Sequence, residues 1–198
     1  MTLEEVSHIA KWVVKLSVPA GDAGSAFVAS RFTDAEQCAL WTAKHVFDHI
    51  HGCALNIRCC SWQSSGEIIV GPSNYELISD LKCRTESASI LIPEFHLPSN
   101  TLFAPISDAE VLVDQEVGLL GFVSGSEQIC LKHGIVKEIR PNGLPLVIVD
   151  GESEPGMSGG PWFHKVENVW KVFGINHGLV NSDPHRIVAF LINRRYSV

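Results

Sequence analysis

The sequence predicts an all-β protein of sandwich or barrel type, divided into two halves. Three observations carry this. Apolar, β-branched-rich segments of four to eight residues recur along most of the chain, turn residues separate them, and little of the chain shows helical spacing. The 198 residues suffice for a core that buries roughly 70 % of the unfolded surface. With 45 % hydrophobic and 19 % charged residues, the composition excludes general disorder.

Taken in order, the N-terminal segment Thr2–Leu16 places Leu3, Val6, Ile9, Ala10, Val13 and Val14 at helical spacing. Thr2 and Glu5 stand as a capping box would require. Its second half, Trp12–Val18, reads equally well as a strand. Strands are then predicted at Gly24–Ser30, Cys38–Ala43, Glu67–Val70, Ala88–Ile92, Val117–Phe122, Gly134–Ile139, Leu144–Val149, Val169–Ile175 and Arg186–Ile192. Clusters such as Gly71-Pro72-Ser73-Asn74 and Arg140-Pro141-Asn142-Gly143 punctuate them. No internal repeat is present. The stretch Pro93–Ala109 holds three prolines and little periodicity, so it reads as a connection at about 96–107 between halves at about 1–95 and 108–198.

Charge and hydropathy narrow the function classes. The net charge is −7 and the longest basic run is Arg194–Arg195, which argues against a nucleic-acid partner, whose phosphates demand clustered cations. No stretch approaches the ~18 apolar residues that a membrane-spanning helix needs. Glu4 and Glu5 stand where a signal peptide is basic, and Lys11 and Lys15 interrupt the apolar residues beyond them. Without an export signal, the six cysteines are expected as reduced thiols and the protein as cytoplasmic.

The sharpest local feature is Glu154-Pro155-Gly156-Met157-Ser158-Gly159-Gly160-Pro161. Glycines that bracket a serine allow a turn with positive φ and bring amides close to a ligand. A serine held there can serve as a nucleophile while neighbouring N–H groups receive an oxyanion. It then needs a base, and the base an orienting carboxylate. Among nine histidines, His45 comes just after a predicted strand and projects from a rigid element. His45 with His49, His51 and Cys53 also offers zinc-type ligands, but no Cys-x-x-Cys pair accompanies them and the strand context already accounts for His45, so neither metal nor cofactor is expected.

These motifs resemble those of trypsin-like (chymotrypsin-fold) serine proteases, in particular the compact bacterial HtrA/Deg-type and glutamyl-endopeptidase branches. Gly24-Ser25-Ala26-Phe27-Val28 is similar to the family's Gly-Ser-Gly-Phe-Val strand, and Trp41-Thr42-Ala43-Lys44-His45-Val46 to its Leu-Thr-Ala-Ala-His-Val segment. Gly118–Phe122 and Gly134–Val136 match strands that open the second barrel. The stretch from Ile148 through Pro161 resembles the segment carrying the nucleophile, and Val172–Asn176 the strand lining the substrate groove. The resemblance runs in order over nearly the whole chain. It implies two packed antiparallel six-stranded β-barrels and a cleft between them where peptide bonds are hydrolysed through an acyl-enzyme. The helical spacing at the N-terminus adds a short helix to that expectation.

By the same resemblance His45 is the general base, Ser158 the nucleophile, and the amides of Gly156 and Ser158 the oxyanion hole. Glu86 stands where the family carries its third member, with Asp80 in reserve. Met157 replaces the Asp or Asn usual before the serine, which removes the ion pair that orders this loop in secreted trypsins. Glu152 takes the position at the floor of the primary pocket and favours a basic residue at the cleaved position. Asn176, His177 and Gly178 line the expected groove, and the first two would instead suit a polar or acidic side chain. The expected partner is a protein or peptide substrate, with an activating or effector protein as a further one. The competing reading is a latent or inactive module that keeps the groove and binds a peptide or protein without cleaving it.

Overall fold

The computed structural model describes residue 5 and residues 7–32, 37–59, 67–79, 87–93, 97, 101–141, 145–180 and 183–192. The ambiguous N-terminal segment resolves into both elements: a one-turn helix α1 (Ser7–Ala10) and then strand β1 (Val13–Val18). A helix this short has no intrinsic stability, whereas the β-branched pair Val13-Val14 gains two strand neighbours by extending.

The first half continues with β2 (Gly21–Phe32), β3 (Gln37–Ala43), helix α2 (Phe47–Ile50), β4 (Leu55–Cys59), β5 (Glu67–Val70), β6 (Glu76–Ser79) and β7 (Ser87–Pro93). Its strands form one antiparallel sheet in the order β5-β4-β1-β2-β3-β7-β6. Among the described residues this sheet has seven strands, with Glu76–Ser79 paired along the outer side of β7. The second half is a closed antiparallel barrel, β10-β13-β12-β11-β8-β9. Its strands are β8 (Glu116–Phe122), β9 (Ile129–Arg140), β10 (Leu146–Gly151), β11 (Pro161–Val166), β12 (Val169–Val180) and β13 (Asp183–Leu191). Strand β9 is longer than its sequence signal since its first part pairs with β8 and its second with β10. The β11–β12 hairpin turns on Glu167 and Asn168, both at positive φ, as a tight two-residue connection requires.

Two apolar cores result. The first fills the sheet of the first half and takes in Leu120, Phe122, Phe163, Val172 and Ile175 from the second, so the halves share buried contact. The other lies inside the closed barrel around Val117, Leu119, Val149, Trp162 and Phe173, and it includes Met157. The connection is pinned as it passes between the halves: Ala104 N–H donates to Val28 O (2.8 Å) and Ser107 N–H to Val172 O (2.7 Å).

Two buried polar groups reinforce this docking. His164 on β11 is 1 % exposed, accepts at Nδ1 from Gln115 Nε2 (3.0 Å), and so donates from Nε2 to Ser107 Oγ (2.7 Å). Burial, with a smaller push from Lys171, holds its pKa below the ordinary imidazole value. Lys15 on β1 bonds Asp22 Oδ1 on β2 (2.9 Å) and reaches across to the β8–β9 loop, bonding Glu127 Oε1 (3.0 Å) and Ser126 O (3.1 Å). Asp22 also receives Gly125 N–H (2.8 Å), and Arg58 pairs with Glu127. Burial works against the charges of this cluster, but the bonds outweigh it: Lys15 titrates above its ordinary value and Asp22 below.

Candidate active site

His45 leaves the end of β3 in a single 3-10 turn, Lys44–Val46, that runs into α2. Its ring is half-buried and meets the edge of the His177 ring, with centroids 4.8 Å apart and planes at 72°. His177, on β12, packs in turn against Phe190 at 5.1 Å. The two imidazoles therefore share one wall of the interface between the halves.

Ser158 sits in the turn between β10 and β11, with Gly156 at φ +92° and Gly159 at φ +85°. The second glycine is required twice over: its φ suits no ordinary side chain, and a Cβ there would overlap Ser25 O and Thr42 Oγ1. That Cβ would also lie 3.0 Å from Ala43 N, so the serine turn presses on the strand end that leads directly into His45. From the other side, a Cβ on Gly24 would lie 3.0 Å from both Ser158 O and Val46 Cγ2. The backbone flanking Ser158 thus approaches closely the backbone flanking His45.

The turn also aims its amides. In a trans peptide the C=O and N–H point in opposite directions, so holding the carbonyl orients the amide behind it. Pro155 O accepts from Ser124 N–H (2.8 Å), which orients Gly156 N–H. Met157 O accepts from Gly160 N–H and Asn176 Nδ2 (both 3.0 Å), which orients Ser158 N–H. Among the described residues neither amide has an acceptor. Two fixed, unspent donors around a serine are the arrangement an oxyanion hole needs.

Asn176 requires a correction. It is fully buried, its Oδ1 accepts from Trp162 Nε1 (3.2 Å), and its Nδ2 donates to Ser153 Oγ (3.0 Å) and Met157 O. Its main chain also pairs with Gly159 and Gly160 (2.8 Å each). All its polar atoms are committed to bracing the serine turn, so it is no groove-lining contact. His177 and Gly178 come next on β12, both half-buried, with Gly178 at φ +136° where β12 slips register against β13. Glu152 is 70 % exposed and paired with Lys132 (3.4 Å), which Glu154 also contacts, so its charge is partly answered within the chain. Hydrogen bonding to Glu154, helped by Glu152, raises the Lys132 pKa despite burial. Glu152 borders an open cleft of about 480 Å³ formed with Leu131, Lys132, His133, Asp150, Gly151 and His185. Glu86 and Asp80 lie outside the described residues. Strand β7 begins beyond them at Ser87, which pairs with Ala43. Among the described residues, no three His, Cys, Asp or Glu side chains converge as a metal site would require.

No family model matches the sequence, and no curated protein matches it. Solved structures do. The Rv3671c protease from M. tuberculosis in its active form superposes with a TM-score of 0.67 at 16 % identity, over 94 % of this chain and 78 % of that one. The serine endoprotease from Yersinia pestis gives 0.70 at 17 % identity, over 96 % and 62 %. The HtrA-type protease AlgW, solved with a tripeptide, gives 0.66 at 19 %, over 94 % and 58 %. The fold is that of the trypsin-like serine proteases. The seven-stranded sheet and the closed barrel are its two β halves, and the interface carrying Ser158, His45 and His177 is the cleft between them. The chain spans about three fifths of the Yersinia and AlgW chains, so the likeness covers the part that forms this double-barrel body.

Proposed function

We propose that this chain is a serine endopeptidase that cleaves peptide bonds through an acyl-enzyme on Ser158. The observation that carries the reading is the serine turn itself: two oriented amides without acceptors among the described residues, pressed against the strand end that presents His45. In the first step Ser158 Oγ attacks the scissile carbonyl and its proton passes to His45. The carbonyl oxygen takes the developing charge against Gly156 N–H and Ser158 N–H. His45 then returns the proton to the departing amine, and water, activated by the same ring, releases the acid. Glu86 is the carboxylate that would fix the His45 tautomer; it directly precedes Ser87, which pairs with Ala43 two residues ahead of His45. Glu152, which by the resemblance takes the floor of the primary pocket, favours a basic residue at the cleaved position. The role proposed for the chain is that of a selective processing enzyme acting on a protein substrate in the cytoplasm.

Labelling with a fluorophosphonate probe tests the mechanism directly. Wild type labels, Ser158→Ala does not, and His45→Ala loses at least about 100-fold in rate. Glu86→Gln beside Asp80→Asn then identifies the third member. A folded wild type that neither labels nor cleaves would favour the latent peptide-binding module.

A further inference from the structure

We infer that Ser25, on β2 of the first half, is a positioning residue for the oxyanion turn of the second. This rests on the protease reading above. Ser25 is fully buried, and both of its donors, the N–H and the hydroxyl, go to the serine turn. Its Oγ accepts from Phe122 N–H (2.9 Å), which leaves its single proton for Gly156 O (2.8 Å). Its own N–H donates to Ser158 O (2.8 Å), and its carbonyl is held by Thr42 Oγ1 (2.7 Å).

These bonds complete a set. The orientation of an amide depends on the peptide planes on both sides of its residue. For Gly156 the preceding plane is held through Pro155 O and the following plane through Gly156 O. For Ser158 the corresponding carbonyls are Met157 O and Ser158 O. The preceding plane in each case is held from within the second half. The following planes are held from both halves: within the second, Met157 N–H donates to Glu154 O (3.1 Å) and Gly159 N–H to Asn176 O (2.8 Å), and from the first, Ser25 holds the carbonyl of each plane. Gly156, at φ +92° and without a side chain, has broad intrinsic backbone freedom, and the Ser25 hydroxyl adds a restraint from the first half to those made within the second. Proper docking of the halves is therefore read directly into the geometry of the oxyanion donors.

The test compares Ser25→Ala and Ser25→Cys with wild type, and with Ser107→Ala as a buried-hydroxyl control in the connection. Fluorophosphonate labelling of the full chain gives a maximal rate and a half-saturating concentration, and circular dichroism gives the folded fraction. For Ser25→Ala the maximal rate falls about 10- to 100-fold while half-saturation stays within about threefold, because donors of the transition state move and the groove does not. Ser25→Cys, with a weaker hydrogen bond, falls between, and it serves alone if the alanine variant does not fold. Ser107→Ala loses melting temperature but retains the maximal rate. A folded Ser25 variant labelling at the wild-type rate, or one losing rate only as much as Ser107→Ala, overturns the role of Ser25 and leaves the protease reading standing. A folded wild type inert to the probe overturns the reading and this inference with it.

Discussion

Removing the buried ammonium at Lys15 examines how the two halves are held in register. Its side chain is 7 % exposed, and it donates to Asp22, Glu127 and Ser126 O at 2.9–3.1 Å. In Lys15→Met the apolar stem is retained and the charge is lost. Asp22, 20 % exposed, keeps Gly125 N–H, so the charged bond to it is forfeited at about 1.5–3 kcal/mol. Glu127 is 56 % exposed and retains Arg58, which limits its loss to about 0–1 kcal/mol. Relief from desolvating the ammonium offsets part of this. The net expectation is about 2–3 kcal/mol, or about 5–10 °C in melting temperature for a chain of this length. The pH dependence has a definite sign. The raised Lys15 value contributes stability that is full below the ordinary lysine pKa of 10.5 and is lost as pH rises through the folded value. The lowered Asp22 value contributes stability present above the ordinary 3.8 and lost as pH falls through its folded value. Thermal melts across that range and beyond both ends therefore show wild type and Lys15→Met furthest apart between those limits. In Lys15→Met/Asp22→Asn the combined loss is smaller than the sum of the two single losses. Equal melting temperatures at neutral pH, or strict additivity, would refute the clasp.

Three further outcomes are expected at the site and its supports. The lowered His164 pKa means stability complete above the ordinary value of 6.5 and declining as pH falls through the folded value, and His164→Gln flattens that part of the melting curve series. Asn176→Ala strips partners from Trp162, Ser153 and Met157 O, costing about 2–4 kcal/mol and slowing probe labelling, whereas a groove-lining role would change cleaved-residue preference in a peptide library instead. Gly159→Ala, with a Cβ driven into Ser25 O and Thr42 Oγ1, abolishes labelling even where circular dichroism reports folded protein; retained labelling would contradict the close approach at that point.

The parts of this structure that are legible in the sequence are those written in local signals. Ser158 and His45 stand in short motifs, and most strands announce themselves by apolar runs between turn residues. Strand β4 carries an equally plain signal, with Leu55, Ile57 and Cys59 inward and Asn56 and Arg58 alternating between them, yet it lies outside the predicted strands. Lys15 and Ser25 are not legible. They are opposed in the β1–β2 register, on the face that meets the second half. That face is covered here by the second half, so Val13, Val14, Lys15 and Leu16 are all buried and the period-2 contrast disappears. A lysine and a serine in a strand carry no mark of whether solvent or another barrel lies above them.

Met157 shows the same limit from the opposite direction. Its position suggests a missing ion pair, and with it a turn in need of some other ordering agent. The side chain is instead fully buried in the core of the closed barrel, where it anchors the middle of the turn by apolar contact. Apolar burial is non-directional and fixes depth but not rotation. Rotation is set by the polar contacts on either side, through Ser124, Asn176 and Ser25. An acid at residue 157 would need a cation brought to it, whereas methionine makes the turn part of the barrel core. Part of its orientation is then left to the Ser25 bonds, which exist only when the two halves are docked. The sequence feature that suggests an absent activation device is thus one half of a different one, completed by a residue more than a hundred positions away in the chain.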